Sequence, residues 1–166
     1  MGRPERFSSI AYDSAIDSEL CFRHGSVVTK GSKIIFTGRN NTRTQSSYNN
    51  SMALCEHAEL NVARKLINCI IRKKNKNKNK NNDLKKYIIW VVRVNTSSIS
   101  DSVNMNLRES NPCQDCINKL LRLGFKRIGY SIANGDMVVN KLSDIDGTGI
   151  VTVSQQHYLD KVKHFR

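Results

Sequence analysis

The sequence predicts a three-layer α/β/α domain built on a mixed sheet of about five strands. Two features point there. Apolar residues alternate along the chain between helical spacing and short β-branched runs, the pattern of strands interleaved with helices. One run, YIIWVVRV at Tyr87–Val94, is apolar throughout, as expected of a central strand covered on both faces. At 166 residues, 39% of them hydrophobic, the chain suits a single domain over 1–166.

From Glu5 to Leu20, Phe7, Ile10, Ala11, Ser14, Ala15 and Ser18 recur at three- and four-residue steps and predict an amphipathic helix packed on the sheet. His24–Gly38 reads as two short strands joined by a turn at Lys30-Gly31-Ser32. The polar stretch Arg39–Asn50 reads as a loop. Ala58, Val62, Ala63, Leu66, Ile67, Ile70 and Ile71 then form one helical stripe, with Asn61, Arg64, Lys65 and Asn68 opposite. After the Tyr87–Val94 strand, a second polar loop, Asn95–Asn111, leads to Pro112. Pro112 suits the first turn of a helix whose face carries Cys113, Cys116, Ile117, Leu120 and Leu121, and which Gly124 closes. Lys126–Ser131 predicts a strand, Asn134-Gly135-Asp136 a turn and Met137–Leu142 a further strand. Such crossovers make part of the sheet parallel.

The formal net charge is +13, which suggests a polyanionic partner. Its distribution qualifies that. The tract RKKNKNKNKNNDLKK, Arg72–Lys86, carries eight Lys or Arg and one Asp, about half of the excess. Its centre, at about 73–83, reads as a low-complexity Lys/Asn insertion with nothing to bury: a solvated loop, or an arm that attracts nucleic acid or phosphate. No apolar run approaches the about 18 residues needed to cross a bilayer, and Met1–Ser9 lacks the apolar stretch of a secretory signal. A cytoplasmic location without membrane association is therefore expected. Five cysteines at irregular spacing fit metal ligands and thiols better than a disulfide framework. Cys21, Cys55 and Cys69 read as structural thiols, and His24, His157 and His164 as surface or capping histidines.

Two clusters carry chemistry. His57-Ala58-Glu59 opens the second helix and Pro112-Cys113-Gln114-Asp115-Cys116 the third. Taken singly, the first is also compatible with an ordinary helix start and the second with a redox pair or two buried thiols. Together, one His and two Cys supply the three protein ligands of a catalytic Zn²⁺ that keeps its fourth position open. Helix amino termini favour thiolate over thiol. A carboxylate two residues after the histidine can face that fourth position and move protons, the role expected of Glu59.

The pair HAE and PCQDC resembles the zinc-binding signature of the cytidine and deoxycytidylate deaminase superfamily, H-x-E followed by P-C-x-x-C. The resemblance runs through most of the chain: RHGSVV, KIIFTGRN, HAELNVARKL, a strand ending VVRVN, and PCQDCINKLLRLGFKRIGYS follow the order of the family's blocks. It implies a cytidine deaminase-like fold, zinc on His57, Cys113 and Cys116, and hydrolytic deamination of a nucleobase. In that chemistry water attacks the ring carbon bearing the amino group, while Glu59 passes protons to the ring nitrogen and to the departing amine. The family's Gly-x-Asn element falls on Gly38-Arg39-Asn40, which implies substrate binding by Asn40. A turn asparagine is the other reading of that residue, for which Asn41 would serve as well. The 56 residues from His57 to Cys113 exceed the spacing of compact members, and the Lys/Asn insertion accounts for much of the excess.

Histidine in the first motif is typical of the deoxycytidylate and tRNA-adenosine branches, whereas free-cytidine enzymes usually place cysteine there. HAELNVA is most similar to the deoxycytidylate type, so the favoured substrate is cytosine in a nucleotide such as dCMP. Two alternatives stand beside it: a deaminase acting on a base within RNA or DNA, which needs a basic track beside the pocket, and a catalytically silent zinc-stabilised module that binds nucleotide or protein. The resemblance also implies a homo-oligomer.

Overall fold

The computed structural model describes residues 3–43, 55–76, 84–94 and 107–145. Most of the Lys/Asn insertion, much of the two polar stretches 39–50 and 95–111, and the tail with His157 and His164 lie outside the described residues.

The elements are α1 (Arg3–Ile16), β1 (Arg23–Lys30), β2 (Lys33–Arg39), α2 (Ala58–Lys76), β3 (Tyr87–Val94), β4 (Leu107–Arg108), α3 (Gln114–Leu123), β5 (Arg127–Ser131) and β6 (Met137–Lys141). They build one mixed sheet in the order β2-β1-β3-β5-β6, with β4 paired to β3. β1 runs antiparallel to β3 along its whole length, from Arg23 opposite Val94 to Lys30 opposite Tyr87. The β3–β5 pair is parallel, as the crossover through α3 requires. The order of helices and strands and the mixed sheet agree with the expectation from sequence. Among the described residues no helix is long and apolar enough to cross a membrane.

Alternation along β1 and β3 sends successive side chains to opposite faces and so divides the core in two. Val27, Trp90, Val92 and Val94 face α1 and pack on Phe7, Ala11 and Ala15. Val28, Ile89 and Val91 face the other way, onto Leu60, Val62, Ala63 and Leu66 of α2 and Cys116, Ile117 and Leu120 of α3. α2 and α3 therefore share one face, with their amino termini at the same end of the sheet. α1 lies so close to β1 that a Cβ on Gly25 would stand 1.9 Å from the Ala11 carbonyl oxygen and 2.6 Å from the Ala15 nitrogen. Gly31 takes φ 61° in the β1–β2 turn and Gly124 φ 99° at the end of α3, conformations that glycine adopts without a Cβ penalty.

The structure departs from the sequence expectation at four places. The first helix ends at Ile16, not Leu20, because the Ser18 hydroxyl is drawn away to Asn40. Residues 107–108, inside the stretch read as loop, form β4, which fills the edge of β3 beyond the end of β5. Asn61, assigned to the polar face of α2, is buried, because its Nδ2 donates to Glu56 Oε2 at 2.7 Å. Ile71, placed in the apolar stripe, is 50% exposed. Leu66 is the last fully buried residue of that stripe.

Gly25→Ala is expected to destabilise the domain by about 2–3 kcal/mol through overpacking against the α1 backbone. Gly31→Ala meets nothing within 4 Å and should cost only about 1 kcal/mol, for its left-handed conformation. Urea midpoints at unchanged m-value give the comparison; equal midpoints would contradict the close approach of α1 to β1.

Candidate metal centre and acid–base site

His57 and Cys113 each stand immediately before a helix. The His57 carbonyl accepts from Asn61 N–H at 2.9 Å and the Cys113 carbonyl from Ile117 N–H at 3.0 Å. Both residues are the last before helical geometry begins. Cys113 has extended backbone, φ −70° and ψ 158°, and its side chain caps no amide. Cys116 enters from the first turn of α3. Ser26 on β1 anchors the opposite side, its hydroxyl donating to the Ala58 carbonyl at 2.7 Å.

The three predicted ligands come together. The candidate donor atoms of His57, Cys113 and Cys116 all lie within 4.8 Å of one another. His57 Nδ1 is 3.6 Å from Cys113 Sγ and 3.2 Å from Cys116 Sγ. A tetrahedral zinc bonded to sulfur at about 2.3 Å and nitrogen at about 2.0 Å spans sulfur–nitrogen edges of about 3.5 Å, close to both of these distances. Its chemistry fits as well: one imidazole and two thiols, with no fourth protein donor in the cluster among the described residues.

The charges within the trio are strongly coupled. Cys113 is drawn down to about 4, chiefly by its hydrogen bond with Cys116 and then by His57, against the opposing effect of burial. Cys116 is pushed well up by that same hydrogen bond and by burial. For His57 burial alone works downward, but hydrogen bonds with Cys113 and Cys55 outweigh it and raise the imidazolium to about 11. Cys55, which sequence spacing left among the structural thiols, thus touches the candidate ligand. It is half-buried, as is Cys69, while Cys21 is exposed.

Glu59 lies in the first turn of α2, 5% exposed. Burial raises its carboxyl above the ordinary carboxylate range, and the nearby His57 charge pulls the other way. A carboxyl so placed can both accept and return a proton.

Glu56 is a residue that sequence reasoning missed. Its side chain is fully buried and accepts from Asn61 Nδ2 at 2.7 Å, Arg64 Nε at 2.7 Å, Arg64 Nη2 at 3.1 Å and Asn41 Nδ2 at 3.1 Å. These donors hold the carboxyl down at about 2, overcoming its burial. Glu56 also exchanges both backbone hydrogen bonds with Asn41. The residue before His57 is thus clamped to the end of β2 and to α2. The approach to Cys113 has a matching clamp: Ser110 Oγ donates to the Val91 carbonyl at 2.9 Å, and Ser131 Oγ donates to the Arg108 carbonyl at 2.6 Å. Glu-His adjacency with Arg64 eight residues on was the only sequence signal for the first clamp, and the serine pair had none.

Asn40 is buried at 6% exposure, with its amide engaged inside the protein. Its Oδ1 accepts from Ser18 Oγ at 2.6 Å and from His24 N–H at 2.9 Å, and its Nδ2 donates to the Phe22 carbonyl at 2.6 Å. One Nδ2 hydrogen is left for any further partner. Asn111 Oδ1, two residues before Cys113, is buried without a hydrogen-bond partner among the described residues. His24 is half-buried; burial, with the charges of Arg93 and His57, lowers it to about 4.

No protein-family model matches the chain, and no curated protein matches it. Solved structures do. A cytidine deaminase from Burkholderia pseudomallei superposes with a TM-score of 0.55 at 18% identity, over 84% of this chain and 93% of that one. A dCMP deaminase from the cyanophage S-TIM5 in apo form gives a TM-score of 0.46 at 17% identity, over 78% of this chain and 82% of that one. The same enzyme in complex with dCMP and dUMP gives 0.42 at 17% identity, over 78% and 76%. With the helix order, mixed sheet and three-layer packing described above, the first of these establishes that the chain has a cytidine deaminase-like α/β fold.

Proposed function

We propose that this protein is a zinc-dependent hydrolytic deaminase of a nucleobase, acting on cytosine in a nucleotide such as dCMP. The observation that carries the reading is the meeting of His57, Cys113 and Cys116 within 4.8 Å, with the buried carboxyl of Glu59 two residues from the histidine. A redox pair has no need of the histidine, and a purely structural zinc site has no need of Glu59.

His57, Cys113 and Cys116 would hold the ion, which supplies the Lewis acidity that turns water into a nucleophile near neutral pH. Glu59 takes a proton from the attacking water and delivers it to the ring nitrogen. Glu59 then takes the proton of the hydroxyl just added to the ring carbon and gives it to the amine; the carbonyl forms, the carbon–nitrogen bond breaks and ammonia leaves. Burial favours the protonated form of Glu59 that the second transfer needs. Glu56 touches no reacting atom; it positions the segment that carries His57 and Glu59. Asn40 contributes to the substrate pocket by fixing the end of β2 and by the one donor it has left. The excess of positive charge suits a substrate that carries phosphate.

Three outcomes test this. The protein should bind one zinc per chain, and Cys113→Ser or Cys116→Ser should lose it together with much of the thermal stability; full zinc content in both variants would refute the ligand set. Zinc-loaded protein should release ammonia from dCMP, and Glu59→Gln should keep zinc and fold while slowing release by about 10²-fold or more; near-normal rate in that variant would sink the proton-transfer role. Glu56→Ala should weaken zinc affinity by about tenfold through loss of the clamp, measured by chelator competition. Unchanged affinity would remove Glu56 from the site.

A further inference from the structure

The end of the sheet beside the metal centre carries a cross-strand row that the deamination chemistry does not use. Asn40 follows β2 and hydrogen-bonds the backbone of His24 on β1. His24 stands opposite Arg93 on β3, and Arg93 opposite Arg108 on β4. Residues directly opposite in an antiparallel pair share a face. That face is fixed by the register: Ser26 opposite Val91 and Val28 opposite Ile89 point toward α2 and α3, so His24 and Arg93, two residues further on, point the same way. Arg108 joins them.

Two arginines directly opposite each other are destabilising unless something compensates. Among the described residues the ion pairs are Arg64–Glu56 and Lys119–Asp115; neither involves Arg93 or Arg108. Arg93 is also held in place. Its guanidinium carbon lies 4.8 Å over the ring of Phe22, itself 58% exposed, which orients a planar donor fork without consuming its hydrogens. The row lies at the end of the sheet where α2 begins: Ser26, two residues along β1 from His24, donates to the carbonyl of Ala58, the residue after His57.

We propose that Arg93 and Arg108, with His24 beside them, form the binding site for a phosphate group carried by the substrate. A guanidinium pair with no ion-pair partner among the described residues is matched by a ligand with two or more anionic oxygens, which Arg binds bidentately. This rests on the deaminase reading for what carries the phosphate. The phosphate belongs to a 5′-monophosphate or to the backbone of a single strand, and one experiment separates them.

Zinc-loaded full-length wild type, Arg93→Ala, Arg93→Lys, Arg108→Ala and, as a control on the exposed face of α2, Arg72→Ala are titrated calorimetrically. The ligands are dCMP, deoxycytidine, inorganic phosphate and a short cytosine-containing DNA strand. Ammonia release from dCMP and deoxycytidine is followed in parallel. Wild type is expected to bind a phosphate-bearing ligand more tightly than deoxycytidine, with inorganic phosphate competing. In Arg93→Ala that preference falls by about 10- to 100-fold; Arg93→Lys recovers part of it, and Arg72→Ala leaves it intact. Arg108→Ala lowers the preference without lowering the thermal midpoint, since a like-charge contact is removed. A loss confined to dCMP identifies a monoester site, and a loss confined to the strand a backbone site. Equal losses for dCMP and deoxycytidine, or no preference for phosphate in wild type, overturn the proposal. Phosphate preference lost in Arg93→Ala without ammonia release from any ligand keeps the phosphate site and overturns the deaminase reading.

Discussion

β3 must be covered on both faces, and the placement of the candidate site depends on that constraint. Trp90 and Val92 point one way, Ile89 and Val91 the other, and all four are buried, so neither face can be left to water. α1 closes one side. The other side takes α2 and α3 together, because the right-handed crossover from β3 to the parallel β5 leaves α3 next to α2. Two helix amino termini then meet at the same end of the sheet, each presenting free amides and a favourable dipole to thiolates.

That meeting is reinforced by polar groups that have no other reason to be buried. A carboxylate with no exposure, Glu56, is tolerable only because four donor atoms surround it. Removing one partner would leave a buried charge, so the segment before His57 is held to one conformation. Ser110 and Ser131 do the same for the segment before Cys113. The outcome is preorganisation: His57 Nδ1 already stands 3.2 and 3.6 Å from the two sulfurs, with Glu59 buried next to them. Little reorganisation remains for an ion to impose.

Much of this was legible in the sequence because it followed from period and motif. The β3 run, the Gly31 turn, the α3 cap at Gly124 and the approach of His57 to Cys113 and Cys116 each have a local signature. What was not legible arises from pairing at a distance. β4 is two residues long and exists only because β3 extends past β5. Asn61 is polar yet buried, because Glu56 five residues earlier needs a donor. Asn40 could be read from sequence as a turn residue or a substrate contact; its three internal hydrogen bonds depend on Ser18, Phe22 and His24, which no local pattern connects to it. The row from His24 through Arg93 to Arg108 is likewise invisible until register sets the strands side by side.

The most direct test of the central claim is X-ray absorption at the zinc edge of the zinc-loaded protein. Two sulfur neighbours at about 2.3 Å are expected, with nitrogen or oxygen neighbours at about 2.0–2.1 Å completing a four-coordinate shell. Four sulfurs, or a shell of oxygen alone, would contradict a centre built from His57, Cys113 and Cys116.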